Sequence, residues 1–119
     1  MILIDTSVWI EYLSRGSAVI ENLLETNKVL IHPFVVGEIA CGNLADRAEV
    51  LSLLNNLPAL PVADESSVLY FIEQNQLMGL GIGYIDAHLL TAAALEPPTR
   101  LLTQDKRLKS TAESLNLSY

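Results

Sequence analysis

The chain has 119 residues, half of them hydrophobic, a mean hydropathy of +0.35 and a formal net charge of −7. That length suits one domain over residues 1–119 with its own core, needing no disulfide or structural metal. The single cysteine, Cys41, leaves no internal disulfide and no Cys/His cluster for zinc, and no apolar run approaches the ~20 residues of a membrane helix.

The elements alternate in type along the chain. Met1 to Ile4 reads as a buried strand ending at Asp5. Thr6–Leu13 and Val19–Thr26 read as helices separated by Arg15-Gly16-Ser17, and Val29–Ile31 as a second buried strand. Pro33 suits the first position of a helix running to about Asn43. Asp46 with Glu49 resembles a capping box for the next helix, which ends near Asn55-Asn56. Leu60–Val62 is predicted as a third strand, and Asp64 as the cap of a helix to about Met78. A glycine-spaced loop, Gly79 to Gly83, precedes an apolar helix, Tyr84–Leu95, stopped by Pro97-Pro98. Arg100–Thr103 then reads as a strand, Asp105–Leu115 as a helix and Leu117–Tyr119 as an edge strand. This alternation implies a parallel sheet covered on both faces, with ligands bound beyond the carboxyl ends of its strands.

Four acids stand out. Asp5 and Asp105 each follow a predicted strand and precede a helix, so both fall on one rim of the sheet. Either could equally be an ordinary helix cap. Glu38 and Asp86 lie in otherwise apolar helices: Glu38 is the only Asp, Glu, Lys or Arg between Lys28 and Asp46, and Asp86 the only one between Glu73 and Glu96. Isolated acids in apolar helices are expected to be paired or metal-bound if buried. Four converging carboxylates repel strongly and must share protons or bind cations. An oxygen-only donor set selects hard ions such as Mg²⁺ or Mn²⁺ over zinc, and such ions suit phosphodiester hydrolysis.

The hydroxyls of Thr6, Ser7 and Thr103 are candidates to orient those carboxylates. Arg100, Lys106, Arg107 and Lys109 are candidate contacts for an RNA backbone, against the plainer alternative of a solvated helix face. His32, at a strand end, and His88, pointing away from Asp86 on a helix, are expected to be secondary. Cys41 reads as a small buried residue, and Trp9, Tyr12 and Tyr84 as core or interface residues. The high apolar content also predicts a partner-binding face. The negative net charge counts against nucleic-acid binding, but bound divalent ions would offset much of it.

The run Leu3-Ile4-Asp5-Thr6-Ser7-Val8-Trp9-Ile10 resembles the opening of PIN-domain proteins, in particular the VapC-type toxins of type II toxin–antitoxin pairs. Gly37-Glu38-Ile39, the segment from Gly83 to Leu90, and Thr103-Gln104-Asp105-Lys106-Arg107-Leu108 are similar to the later family motifs, in order and at similar spacing. The resemblance covers essentially the whole chain. It implies a three-layer α/β/α fold around a parallel sheet of four or five strands. It further implies a cytoplasmic endoribonuclease that uses Mg²⁺ or Mn²⁺, one or two ions per site, to cut tRNA or rRNA. Asp5, Glu38 and Asp86 would hold the first ion, and Asp105 a second ion or the attacking water. In-line hydrolysis would leave a 3′-hydroxyl and a 5′-phosphate. The family is also homodimeric and neutralised by a cognate antitoxin. Some relatives carry a further acid where Gln104 stands, which leaves the second ion's ligands open.

Three alternatives were weighed. A HAD-type phosphatase needs a second Asp two residues after the first, where Ser7 stands. A response-regulator receiver domain wants an acidic pair after the first strand, where Asp5 is alone. A non-catalytic PIN-like module binding RNA or protein would keep the fold and lose the chemistry.

Overall fold

The computed structural model describes residues 1–119. Three short strands form its sheet: β1 (Ile2–Ile4), β2 (Val29–Leu30) and β3 (Arg100–Leu102). They are parallel, in the order β2-β1-β3. All of β1 is buried, so its side chains are apolar on both faces, as a central parallel strand requires. Seven helices surround the sheet: α1 (Thr6–Arg15), α2 (Ala18–Glu25), α3 (Pro33–Ala40), α4 (Arg47–Asn55), α5 (Glu65–Asn75), α6 (Tyr84–Leu95) and α7 (Lys106–Ser114). A single cluster of 21 buried residues, with Leu3, Ile4, Trp9 and Leu101 among its members, forms the core. Burying each such side chain contributes roughly 1.5–3 kcal/mol.

The sheet is narrower than the predicted four or five strands. Leu60–Val62 forms no strand; Ile31 and Ala59 meet in an isolated parallel bridge. Ile31 donates to the Pro58 carbonyl and accepts from the Leu60 N–H. In that register the next bonds would need N–H groups on Pro58 and Pro33, and proline has none. The predicted edge strand at Leu117–Tyr119 is likewise reduced to a bridge between Leu101 and Ser118. There the Leu117 N–H turns back to the Ala112 carbonyl at the end of α7, and the Thr99 N–H to Glu96.

The helix signals differ in outcome. Asp64 caps α5 as predicted, accepting from the Ser67 N–H at 2.7 Å. Asp46 makes no such cap: its backbone is left-handed at φ 53°, and its side chain bonds nothing at the start of α4. Helix α3 stops at Ala40, three residues short of the expected end, and Cys41 is exposed rather than buried. No helix is long and apolar enough to cross a membrane.

Strand order places the site. The chain leaves β1 for β2 on one side, then crosses to β3 on the other. The carboxyl ends of β1 and β3 therefore flank a crevice where connections diverge, the usual ligand position in open parallel sheets.

Candidate active site

Asp5 ends β1 and caps α1. Its own N–H donates to the Leu102 carbonyl of β3, fixing the backbone on the ladder. Its Oδ1 accepts from the Thr6 N–H at 2.7 Å, and its Oδ2 accepts from Ser7 Oγ at 2.9 Å and Thr103 Oγ1 at 2.6 Å. The residue is buried, and these donors replace the water it has lost.

Thr103 is a relay between segments 98 residues apart: its hydroxyl donates to Asp5 and accepts the Asp105 N–H at 3.1 Å. Asp105 then caps α7, its Oδ1 accepting from the N–H groups of Arg107 at 2.9 Å and Leu108 at 3.0 Å. The Gln104 N–H closes the loop on Ser7 Oγ at 3.3 Å. Thus the hydroxyls of Ser7 and Thr103 serve Asp5.

Thr6 faces another way and donates to Glu38 Oε1 at 2.7 Å, joining α1 to α3. Glu38 itself is exposed, so its apolar sequence neighbours mark the rest of α3, not its own surroundings. Asp86 stands in the first turn of α6 and accepts the Gly83 N–H on Oδ2 at 3.1 Å. Its carboxyl lies above the usual range. Burial is the main cause, opposed by the Gly83 hydrogen bond and reinforced by the charges of Asp5, Asp105 and Glu38. Asp5, Asp105 and Glu38 thus each lie within electrostatic reach of Asp86.

The donor set is all oxygen, the chemistry of a hard divalent ion. No group of three His, Cys, Asp or Glu side chains is spaced to hold an ion as the side chains stand. Mg²⁺ fits such a rim without a closed cage, because it keeps several waters and often takes only one or two carboxylates beside a substrate phosphate.

The candidate basic residues divide. Lys106, Arg107 and Lys109 are exposed on the first turn of α7, next to Asp105. Arg100 is not with them: it begins β3, at the opposite end of the sheet, where its guanidinium donates to the carbonyls of Asn116 and Ser118. Strand direction, overlooked beside sequence proximity, separates them. His32 and His88 are both buried away from solvent, and His32 Nδ1 caps α3 by accepting from the Phe34 N–H at 3.0 Å. Trp9 is fully buried, while Tyr84 is about half exposed. A groove of about 610 Å³ lies between α1 and the start of α4, and none of the four acids lines it.

Fold and rim together define a PIN domain: the PIN-domain family model matches residues 2–114. The chain belongs to this family, and within it to the VapC type. It is 45% identical to "Ribonuclease VapC32" of two Mycobacterium tuberculosis strains (CDC 1551 / Oshkosh and ATCC 25618 / H37Rv), over 92% of this chain and 89% of each relative. Among solved structures, PAE2754 from Pyrobaculum aerophilum shares the fold with a TM-score of 0.65 at 17% identity, covering 96% of this chain and 90% of that one.

Proposed function

We propose that this chain is a Mg²⁺- or Mn²⁺-dependent endoribonuclease, one PIN domain acting in the cytoplasm as the toxin of a type II toxin–antitoxin pair. The observation that carries the reading is the gathering of carboxylates about Asp86, on which Asp5, Asp105 and Glu38 all act, with Asp5 and Asp105 beyond the carboxyl ends of neighbouring parallel strands. The name carried by the 45%-identical relatives points to the same chemistry.

In this reading Asp5, Glu38 and Asp86 hold one ion, and Asp105 holds a second or orients the attacking water. When bound, the ion supplies Lewis-acid polarisation of the phosphodiester and lowers the pKa of water. The protein's own part is orientation. Thr103 and Ser7 fix the Asp5 carboxylate, Thr6 fixes one oxygen of Glu38, and the α7 N–H groups fix one oxygen of Asp105. Asp86, raised by burial and by its acidic neighbours, gains most from a cation's arrival. Lys106, Arg107 and Lys109 stand where an incoming phosphate backbone, of tRNA or rRNA, would be met. A homodimer partner and an antitoxin would use the exposed apolar side chains, among them Ile10 and Leu53 on α1 and α4, and Leu69, Tyr70 and Leu95 on α5 and α6.

The test is cleavage of total cellular RNA with Mg²⁺ or Mn²⁺, with and without chelator. Asp5→Ala is expected to cut at least about a hundredfold more slowly, at or beyond the upper end of the loss seen for supporting residues. Equal cleavage by the variant overturns the reading. A non-catalytic RNA- or protein-binding module is the second reading, favoured by the absence of a closed metal triad. RNA retention without cleavage, at saturating Mn²⁺, would decide for it.

A further inference from the structure

The geometry points to Arg107 as a positioning residue that ties the glycine loop before Asp86 to the helix that begins after Asp105. The inference rests on the ribonuclease reading above and concerns how the rim keeps its shape. The backbone N–H of Arg107 is held by Asp105 Oδ1 at 2.9 Å. Its side chain runs back over the loop. A methyl group built on Gly81 would stand 2.5 Å from Arg107 Cδ, 2.6 Å from Nη1 and 3.1 Å from Cζ. Ordinary carbon contacts are about 3.5–4.0 Å, so the stem and guanidinium lie directly on the Gly81 α-carbon.

Gly79 provides the internal contrast. Gly79 and Gly81 have similar positive φ values, 75° and 79°, which disfavour any side chain. Yet a methyl group on Gly79 would meet nothing within 4 Å. Gly81 is therefore bare for two reasons, backbone conformation and Arg107, and Gly79 for only one. Two residues beyond Gly81, the Gly83 N–H holds Asp86 Oδ2, and this is the only side-chain hydrogen bond Asp86 makes. Asp86 has no hydrogen-bonded tie to the α7 side of the rim; the link between its loop and α7 is the van der Waals contact of the Arg107 side chain with Gly81.

The experiment compares the unaltered chain with Gly81→Ala, Arg107→Ala, their double variant, Gly79→Ala and Arg107→Lys, across a range of Mg²⁺ concentrations on one RNA substrate. Gly81→Ala and Arg107→Ala should each lower kcat about tenfold and raise the Mg²⁺ concentration for half-maximal rate; KM for RNA should be unchanged in Gly81→Ala and raised in Arg107→Ala, which also loses a phosphate contact. The double variant should be no slower than the slower single, because both break one contact. Gly79→Ala, with the same backbone strain and no contact, should keep kcat, and Arg107→Lys should recover only part of it. Equal losses in Gly79→Ala and Gly81→Ala, multiplied losses in the double variant, or an Arg107→Ala effect confined to KM would overturn the inference. Calorimetric Mn²⁺ titration reads the same tie without RNA: unchanged affinity in both Gly81→Ala and Arg107→Ala also overturns it. RNA cleavage equal in Asp5→Ala and the unaltered chain overturns the ribonuclease reading alone.

Discussion

Helices α3 and α6 each contribute to two polar regions of opposite chemical character. Glu38 and Asp86 belong to the acidic rim, whereas His32, Phe34, Tyr84 and His88 form an aromatic cluster at the N-terminal ends of the same two helices. In the cluster, His88 packs edge-on against Phe34 and Tyr84, each with ring centroids at 4.7 Å, and lies 6.5 Å from His32. The buried carboxylate of the rim, Asp5, accepts three hydrogen bonds, while His32 Nε2 and His88 Nδ1 are buried without a partner. Burial acts on the two regions with opposite sign. It raises Asp86 and lowers His32, the latter to about 4, with His88 as the lesser cause. The rim is a place where negative charge waits for a cation; His32 is a place where positive charge is refused.

Acidification should therefore strike both regions by different routes. Between pH 6.5 and about 4 the unfolded chain takes up a proton that folded His32 does not accept. Stability is complete above that window and declines as pH falls through it, by up to about 3 kcal/mol from this residue. His32→Asn keeps a capping acceptor for Phe34 and removes the titration, so its melting temperature should fall less steeply over the same pH range. Asp86 responds differently: its carboxyl, raised chiefly by burial, takes up a proton at higher pH than an ordinary aspartate, and divalent ions compete with that proton. Added Mn²⁺ should restore rim occupancy at mildly acid pH without altering the His32-dependent slope. Identical pH slopes for His32→Asn and the unaltered chain would remove the cluster's half of the contrast.

Thr103→Val tests the rim's half. Valine matches threonine in shape and lacks the hydroxyl, so the Asp105 N–H loses its acceptor and Asp5 Oδ2 keeps only Ser7. Activity should fall about 10–100-fold, as for other groups that orient ligands. Stability should fall by about 1–2 kcal/mol for the unsatisfied polar groups. Thr91→Val is the matched control, since that buried hydroxyl bonds only the Ala87 carbonyl of its own helix. Comparable losses of activity in both variants would mean that the rim is no more dependent on its hydroxyls than the core.

Much of this arrangement could be read from the chain, and the failures have physical causes. The bounds of α6 match the expected Tyr84–Leu95, because a glycine loop and a proline pair bracket an unbroken apolar helix. Asp5 and Asp105 could be placed on one rim because each ends a strand of a parallel sheet. Both cap a helix, as one sequence reading expected, and both act electrostatically on Asp86; their role as metal ligands remains a proposal. The exposure of Glu38 and Cys41 and the displacement of Arg100 depend on helix rotation and strand direction, which local composition does not encode. The missing third strand was hidden in the prolines, Pro33 and Pro58, whose effect appears only once the register is known. The contact of Arg107 with Gly81 joins residues 26 apart, and in sequence the glycine signalled only a turn.

The end of α5 is the same lesson at its smallest scale, and it gives the smallest prediction. The expected helix runs to Met78, but the observed one stops at Asn75, and Gln76 takes a left-handed conformation at φ 53°. Its N–H bonds back to the carbonyls of Ile72 and Glu73, as a helix-ending residue's should. Glycine usually fills such a position, and glutamine gives no visible stop signal. Relieving the side-chain strain, Gln76→Gly should stabilise the fold by about 0.5–1 kcal/mol, read as a higher melting temperature. Gln76 is exposed and belongs to neither polar region, so RNA cleavage should not change. If cleavage did rise with melting temperature, global stability would be limiting activity, and the losses in Thr103→Val would have to be corrected for it before being assigned to the rim.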